Sequence, residues 1–189
     1  MLTTAKKLAA SGLAASILMT AAAAEDYINP CEAAPNTDFD FWVGDWVAFD
    51  SNTGVAQGID RIEKINYDCV IYQEWRQLTD RYRAPGAPER YAGISINSTL
   101  VNGQWQQVWV AAQGGGTITL TGGLDDDGVM TLSTAEVEAQ NGQTFKQIWY
   151  WDPNSDGTIH SWGEVLIKNE DGTWQEPQIP WDLNYVPRA

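Results

Sequence analysis

Residues 125–172 read DDDGVMTLSTAEVEAQNGQTFKQIWYWDPNSDGTIHSWGEVLIKNEDG, and four times in this stretch a polar cluster ends in glycine. The clusters are Asp125-Asp126-Asp127-Gly128, Gln140-Asn141-Gly142, Asp152 to Gly157, and Asn169-Glu170-Asp171-Gly172. Asx-Gly pairs tolerate the positive φ angles that tight hairpin turns demand. The glycines fall 14, 15 and 15 residues apart, which accommodates one strand and one turn and leaves no room for a crossover helix. Sequential strands should then pair as a meander, and a long meander closes most economically by curling into a barrel.

Outward from this stretch the same punctuation continues and helix periodicity is scarce. The pattern predicts strands near 41–50, 58–66, 69–78, 90–97, 104–112, 115–121, 128–138, 143–151, 158–167 and 173–186. Pro177 and Pro180 should bulge or break the last, because proline cannot donate to a ladder. The expected fold is all-β, an antiparallel up-and-down barrel of about ten strands. A two-layer sandwich is the competing arrangement.

The beginning of the chain reads as an export signal. Lys6 and Lys7 precede an apolar run from Leu8 to Thr20, and Ala22-Ala23-Ala24 offers a cleavage site before Glu25. The run is short for a membrane span, which takes roughly 20 apolar residues, and no second one follows. The expected organisation is a signal peptide over 1–24, an extended arm over 25–38 and one barrel domain over 39–189. Periplasm or extracellular space would be its location, with no integral membrane segment in the mature chain.

Beyond residue 24, nine Lys and Arg stand against 25 Asp and Glu, a net charge of −16. That balance argues against nucleic acid and anionic membranes as partners; a protein partner is left open. Two cysteines, Cys31 and Cys69, read first as a disulfide in an oxidising compartment. Closing their loop would stabilise the fold by roughly 4 kcal/mol on the chain-entropy model. Two cysteines and one histidine are too few for a metal site.

All ten tryptophans lie beyond the signal, and several alternate with polar residues. Trp105, Gln107 and Trp109 share one strand face, as do Gln147, Trp149 and Trp151 on another. Any one of these rings reads as core filling, but glutamine between two tryptophans suits a wetted or hydrogen-bonded face. Apolar walls with a few polar groups are what a small-molecule pocket needs. The expected cavity-lining set is Arg61, Glu74, Gln107, Trp109, Gln147, Trp149 and Trp162. The segment 80–90, with Arg76 nearby, gathers Arg76, Arg81, Arg83 and Arg90, either a solvated loop or a cationic guide at a barrel mouth.

The segment Asp38-Phe39-Asp40-Phe41-Trp42-Val43-Gly44-Asp45-Trp46 resembles the F-D-F-W-x-G-x-W signature of a bacterial family of secreted domains of unknown function. Ile59 to Lys64, Asp68-Cys69-Val70, Glu74-Trp75, Trp105-x-Gln-x-Trp109, Trp149 and Asp156-Gly157-Thr158 follow in that family's order. The resemblance covers 38–186. It implies a calycin-like barrel, similar in outline to lipocalins and nitrobindins, with Trp42, Gly44 and Trp46 closing one end. It implies no agreed activity.

Chemistry-bearing motifs are thin. His160 is the only histidine and the one residue that could ligate haem as nitrobindin-like barrels do, but no other match to those relatives surrounds it, and no cofactor is expected. Asp152-x-Asn154-x-Asp156-Gly157 copies half an EF-hand loop, yet the twelfth position is Gly163 rather than Glu, and a hairpin turn explains the residues. There is no Gly-x-Ser-x-Gly elbow. Glu63, Glu74 and Glu164 are the carboxylates that a cavity enzyme would use. The leading expectation is a non-catalytic barrel binding a small, partly apolar ligand. The alternatives are an enzyme with Glu74 or Glu164 as general base, and a filled module that recognises a protein.

Overall fold

The computed structural model of the chain describes residues 29–87, 89–112 and 116–188; the expected signal peptide and residues 25–28 of the expected arm lie outside them. Eleven strands follow in order: β1 (Gly44–Asp50), β2 (Ala56–Ile65), β3 (Val70–Gln77), β4 (Ala92–Thr99), β5 (Trp105–Ala111), β6 (Thr117–Leu124), β7 (Met130–Ser133), β8 (Val137–Glu138), β9 (Thr144–Pro153), β10 (Ile159–Ile167) and β11 (Gln178–Pro187). Ten of them pair antiparallel, neighbour to neighbour, and β1 pairs with β11 to close the wall. The remaining strand, β8, pairs only with Phe145 and Thr144 of β9. The result is an all-β antiparallel barrel, as the turn spacing predicts.

The turn glycines carry the geometry expected of them. Gly128, Gly142, Gly157 and Gly172 have φ of 85°, 80°, 84° and 85°, a region that costs a side-chain-bearing residue free energy. In the 152–157 turn, Asp156 Oδ1 accepts from Thr158 N at 3.0 Å and from Thr158 Oγ1 at 2.6 Å, so this carboxylate serves the hairpin.

Three expectations need correction. The strand expected over 128–138 is broken in two, because Thr134 Oγ1 rather than a backbone carbonyl receives the Gln147 N–H at 3.0 Å. The strand expected from 173 begins at Gln178, after Pro177, with Trp174 held only by a bridge to Lys168. Within it the register shifts from Gly163↔Trp181 to Val165↔Gln178, so Ile179 and Pro180 together face one residue, Glu164. This is a bulge at the proline.

The third concerns the N-terminal arm, which is coiled rather than extended. It winds through a 3-10 turn at Pro30–Glu32, and a second 3-10 turn at Asp40–Trp42 takes the first residues of the strand expected over 41–50, so that β1 starts only at Gly44. Asn29 Oδ1 accepts from Cys31 N at 3.1 Å, and Pro30 supplies a preset φ. The Cys31–Cys69 disulfide ties the arm to the residue before β3. Phe39 and Trp42, both fully buried, stack at 4.7 Å, and Phe39 meets Trp105 at 5.6 Å and Trp151 at 5.1 Å. Trp46 Nε1 donates to Trp42 O and Trp105 Nε1 donates to Pro35 O. The arm therefore plugs one end of the barrel, where β1 begins, with Trp42 and Trp46 in the plug and Gly44 leaving room for the Trp46 ring. Among the described residues no helix is long and apolar enough to cross a membrane.

Candidate functional site

The other end of the barrel is hollow. A cavity of ≈ 410 Å³ lies between the inward faces of β2, β3, β5, β6, β9, β10 and β11 and the side chains of Arg81, Tyr82 and Tyr91. Period-two alternation selects its walls: Gln73, Trp75 and Gln77 on β3, Trp109 on β5, and Gln147, Trp149 and Trp151 on β9 point to the same space. Trp181, Leu183 and Tyr185 of β11 complete the wall beside the bulge.

Glycines on neighbouring strands let the large rings lie against the wall. A Cβ on Gly58, Gly93 or Gly163 would overlap the ring of Trp75, Trp109 or Trp181 respectively. Each glycine faces inward, so the ring occupies the place of the missing side chain and the lumen stays open. The rings then touch edge to face: Trp149 lies 6.3 Å from Trp109, 6.4 Å from Trp151 and 5.9 Å from Trp181.

The glutamines that alternate with these tryptophans have a structural task. Trp75 Nε1 donates to Gln77 Oε1 and Trp149 Nε1 to Gln147 Oε1, each at 3.2 Å. Trp109 Nε1 donates to the Tyr91 hydroxyl at 3.0 Å. A buried indole N–H without a partner would be costly, and an indole can only donate. Glutamine two positions away on the same face meets that need.

Toward the plug, the interior is polar and closed. Gln73 Nε2 and the Tyr185 hydroxyl both donate to Asp60 Oδ2, at 2.7 and 3.2 Å. Ser95 Oγ donates to Gln73 Oε1 at 2.7 Å and receives Asn97 Nδ2 at 2.9 Å and Gln107 Nε2 at 3.3 Å. Asp60 is fully buried, and its Oδ1 has no hydrogen-bond partner. Burial pushes its carboxyl up to about 8, against the lowering effect of Gln73 and Tyr185.

Arg81, Tyr82 and Tyr91 stand at the mouth. Arg81 pairs with Asp50 at 3.1 Å, donates to Pro180 O at 2.6 Å and lies 5.1 Å from the Tyr82 ring centre. The Tyr82 hydroxyl also donates to Pro180 O, a carbonyl that the bulge presents. Arg83 and Arg90 pair with Asp80 at 3.4 and 3.3 Å, and Arg76 pairs with Glu74 on the outer wall. Of the four arginines, Arg81 alone lines the cavity.

The expected cavity set divides by strand parity. Trp109, Gln147 and Trp149 line the cavity. Gln107 points inward but lies beneath it, fully buried in the polar floor. Arg61, Glu74 and Trp162 are on the outer face, because their neighbours Asp60 and Ile62, Gln73 and Trp75, and Ser161 and Gly163 point inward. Arg61 pairs there with Glu63 at 2.9 Å. Trp162 stacks on Tyr150 at 4.5 Å and on His160 at 4.7 Å. His160 bonds Asp182 at 2.8 Å, and Glu164 accepts from the Tyr150 hydroxyl at 3.1 Å. His160, Glu74 and Glu164 are therefore absent from the cavity, so neither a haem ligand nor a general base at those positions would reach a molecule inside it.

Trp75, Trp181, Gln73, Gln77, Tyr91 and the buried Asp60 were not in the expected set. Gln73-x-Trp75-x-Gln77 repeats the alternation that marks Gln147-x-Trp149, and that pattern could have found it. Nothing local distinguishes Asp60 from an exposed aspartate. The chain matches no protein-family model and no curated protein.

Proposed function

We propose that this chain is an exported barrel protein that binds a small, partly apolar molecule in its aromatic cavity and does not transform it. The observation that carries the reading is the chamber of ≈ 410 Å³ walled by indole rings. Small-molecule pockets run from roughly 300 to 1,000 Å³, with mostly apolar walls and a few polar groups. Export rests on the N-terminal sequence pattern, and the Cys31–Cys69 disulfide is in keeping with an oxidising compartment. Binding is favoured over turnover because no carboxylate lines the cavity among the described residues.

Native mass spectrometry of protein purified from its own host should reveal a retained ligand by mass. That ligand should change tryptophan emission on rebinding, and Trp109→Ala should bind it about tenfold or more weakly, since buried aromatic anchors dominate binding energy. Unchanged affinity in both Trp109→Ala and Trp149→Ala would remove the cavity from consideration.

A further inference from the structure

The polar groups around the cavity are unequal in what they leave available. The orientation of two side-chain amides is dictated by chemistry, since each meets an indole N–H, which donates only. Gln77 and Gln147 must therefore turn their carbonyl oxygens to Trp75 and Trp149. The Gln57 oxygen receives Gln77 Nε2 and Thr79 Oγ1, and the Gln73 oxygen receives Ser95 Oγ. All four amide oxygens of the lining are thus engaged inside the protein. The Gln147 amide nitrogen, by contrast, has no hydrogen-bond partner among the described residues. Tyr91 accepts from Trp109, which leaves its own proton to donate, and burial raises its pKa so that it stays a hydroxyl.

These donors lie along one aromatic run, Tyr91 to Trp109 to Trp149, with Gln147 bonded to the Trp149 edge. The same lining offers no unpaired formal charge. Arg81, the only basic residue lining the cavity, is neutralised by Asp50, and no carboxylate lines it among the described residues. An ionised ligand there would lose its hydration without gaining a counter-charge.

We infer that the bound molecule is uncharged and is recognised through a hydrogen-bond acceptor, a ketone, quinone, ester or ether oxygen, that meets Gln147 Nε2 at one end of this run or the Tyr91 hydroxyl at the other. This rests on the binding function proposed above and names its ligand class. Isothermal titration of the purified protein with 2-acetylnaphthalene, 2-isopropylnaphthalene and 2-naphthoate tests it. The ketone should bind about tenfold more tightly than the hydrocarbon, the increment of one net hydrogen bond, and the carboxylate more weakly than the ketone. Gln147→Glu, measured beside wild type at the same pH 9, keeps an acceptor for the Trp149 indole and removes the amide donor; its ketone-to-hydrocarbon ratio should fall below that of wild type at that pH. Equal affinities for ketone and hydrocarbon, or tightest binding of naphthoate, would overturn the inference while leaving the cavity as a binding site. No binding of any of the three would overturn the binding function as well. The wild-type series decides the matter even if the variant does not fold.

Discussion

Replacing Asp60 by asparagine should remove most of the fall in stability with rising pH that the wild-type protein shows between about pH 4 and pH 8. The unfolded chain releases the Asp60 proton near its usual 3.8, whereas the folded protein holds it up to about 8. Over that window the native state binds more protons than the unfolded state, so stability falls as pH rises. The contribution is fully present below the unfolded value, is lost progressively up to the folded value, and changes no further above it. Asparagine keeps an oxygen for Gln73 and Tyr185 and puts a neutral amide where the ionisable oxygen stood. At pH 9 the variant should therefore gain several kcal/mol on wild type relative to the same comparison at pH 4, the scale of burying an uncompensated charge. Asp50, Asp156 and Asp171, whose values are lowered mainly by hydrogen bonds from Thr53, Thr158 and Thr173, add an acid-side slope to both proteins alike. That slope cancels in the difference. Urea unfolding of both proteins at pH 4, 6 and 9 measures it, and parallel profiles would mean that Asp60 is ionised in the native state.

The same residue shows where sequence reading stops. Alternation of period two separates the faces of a strand, and the turn spacing sets the order in which strands pair; both follow from local chemistry. Which face turns inward does not follow when both carry polar and aromatic groups. On β2, Arg61 and Glu63 satisfy each other outside while Asp60 is buried, and the two carboxylates look equivalent in the sequence. On β10, Trp162 packs outside on Tyr150 because Ser161 and Gly163 take the inner positions. A tryptophan there signals a face with neighbours, and those neighbours come from other strands. Gln107 and Gln147 lie on similar patterns yet differ in role, one sealed in the floor and one at the cavity, because depth along the barrel depends on register across strands. The coiled arm escaped for a related reason: its turns depend on the plug it packs into.

Strand glycines carry a clearer signal, and Gly93 puts it to the test. Gly93→Ala should destabilise the protein by about 1–3 kcal/mol, the usual cost of overpacking, because the added methyl group meets the Trp109 ring. Relief requires that ring to swing into the lumen, so cavity volume and ligand affinity should fall together. Gly123→Ala on β6 is the control: nothing lies within 4 Å of its added Cβ, and the change should stay within about 0.5 kcal/mol. Combining Gly93→Ala with Trp109→Ala should cost less than the two changes summed, since the small residue leaves the methyl group no ring to meet. If Gly93→Ala and Gly123→Ala are equally mild by urea unfolding and Gly93→Ala binds ligand as wild type does, then Trp109 does not lie against the wall at Gly93. The open chamber would then lose the feature that keeps its largest rings out of the way. The three inward glycines, at 58, 93 and 163, would in that event be incidental to the cavity, and they connect its existence to the sequence only if the methyl group is resisted.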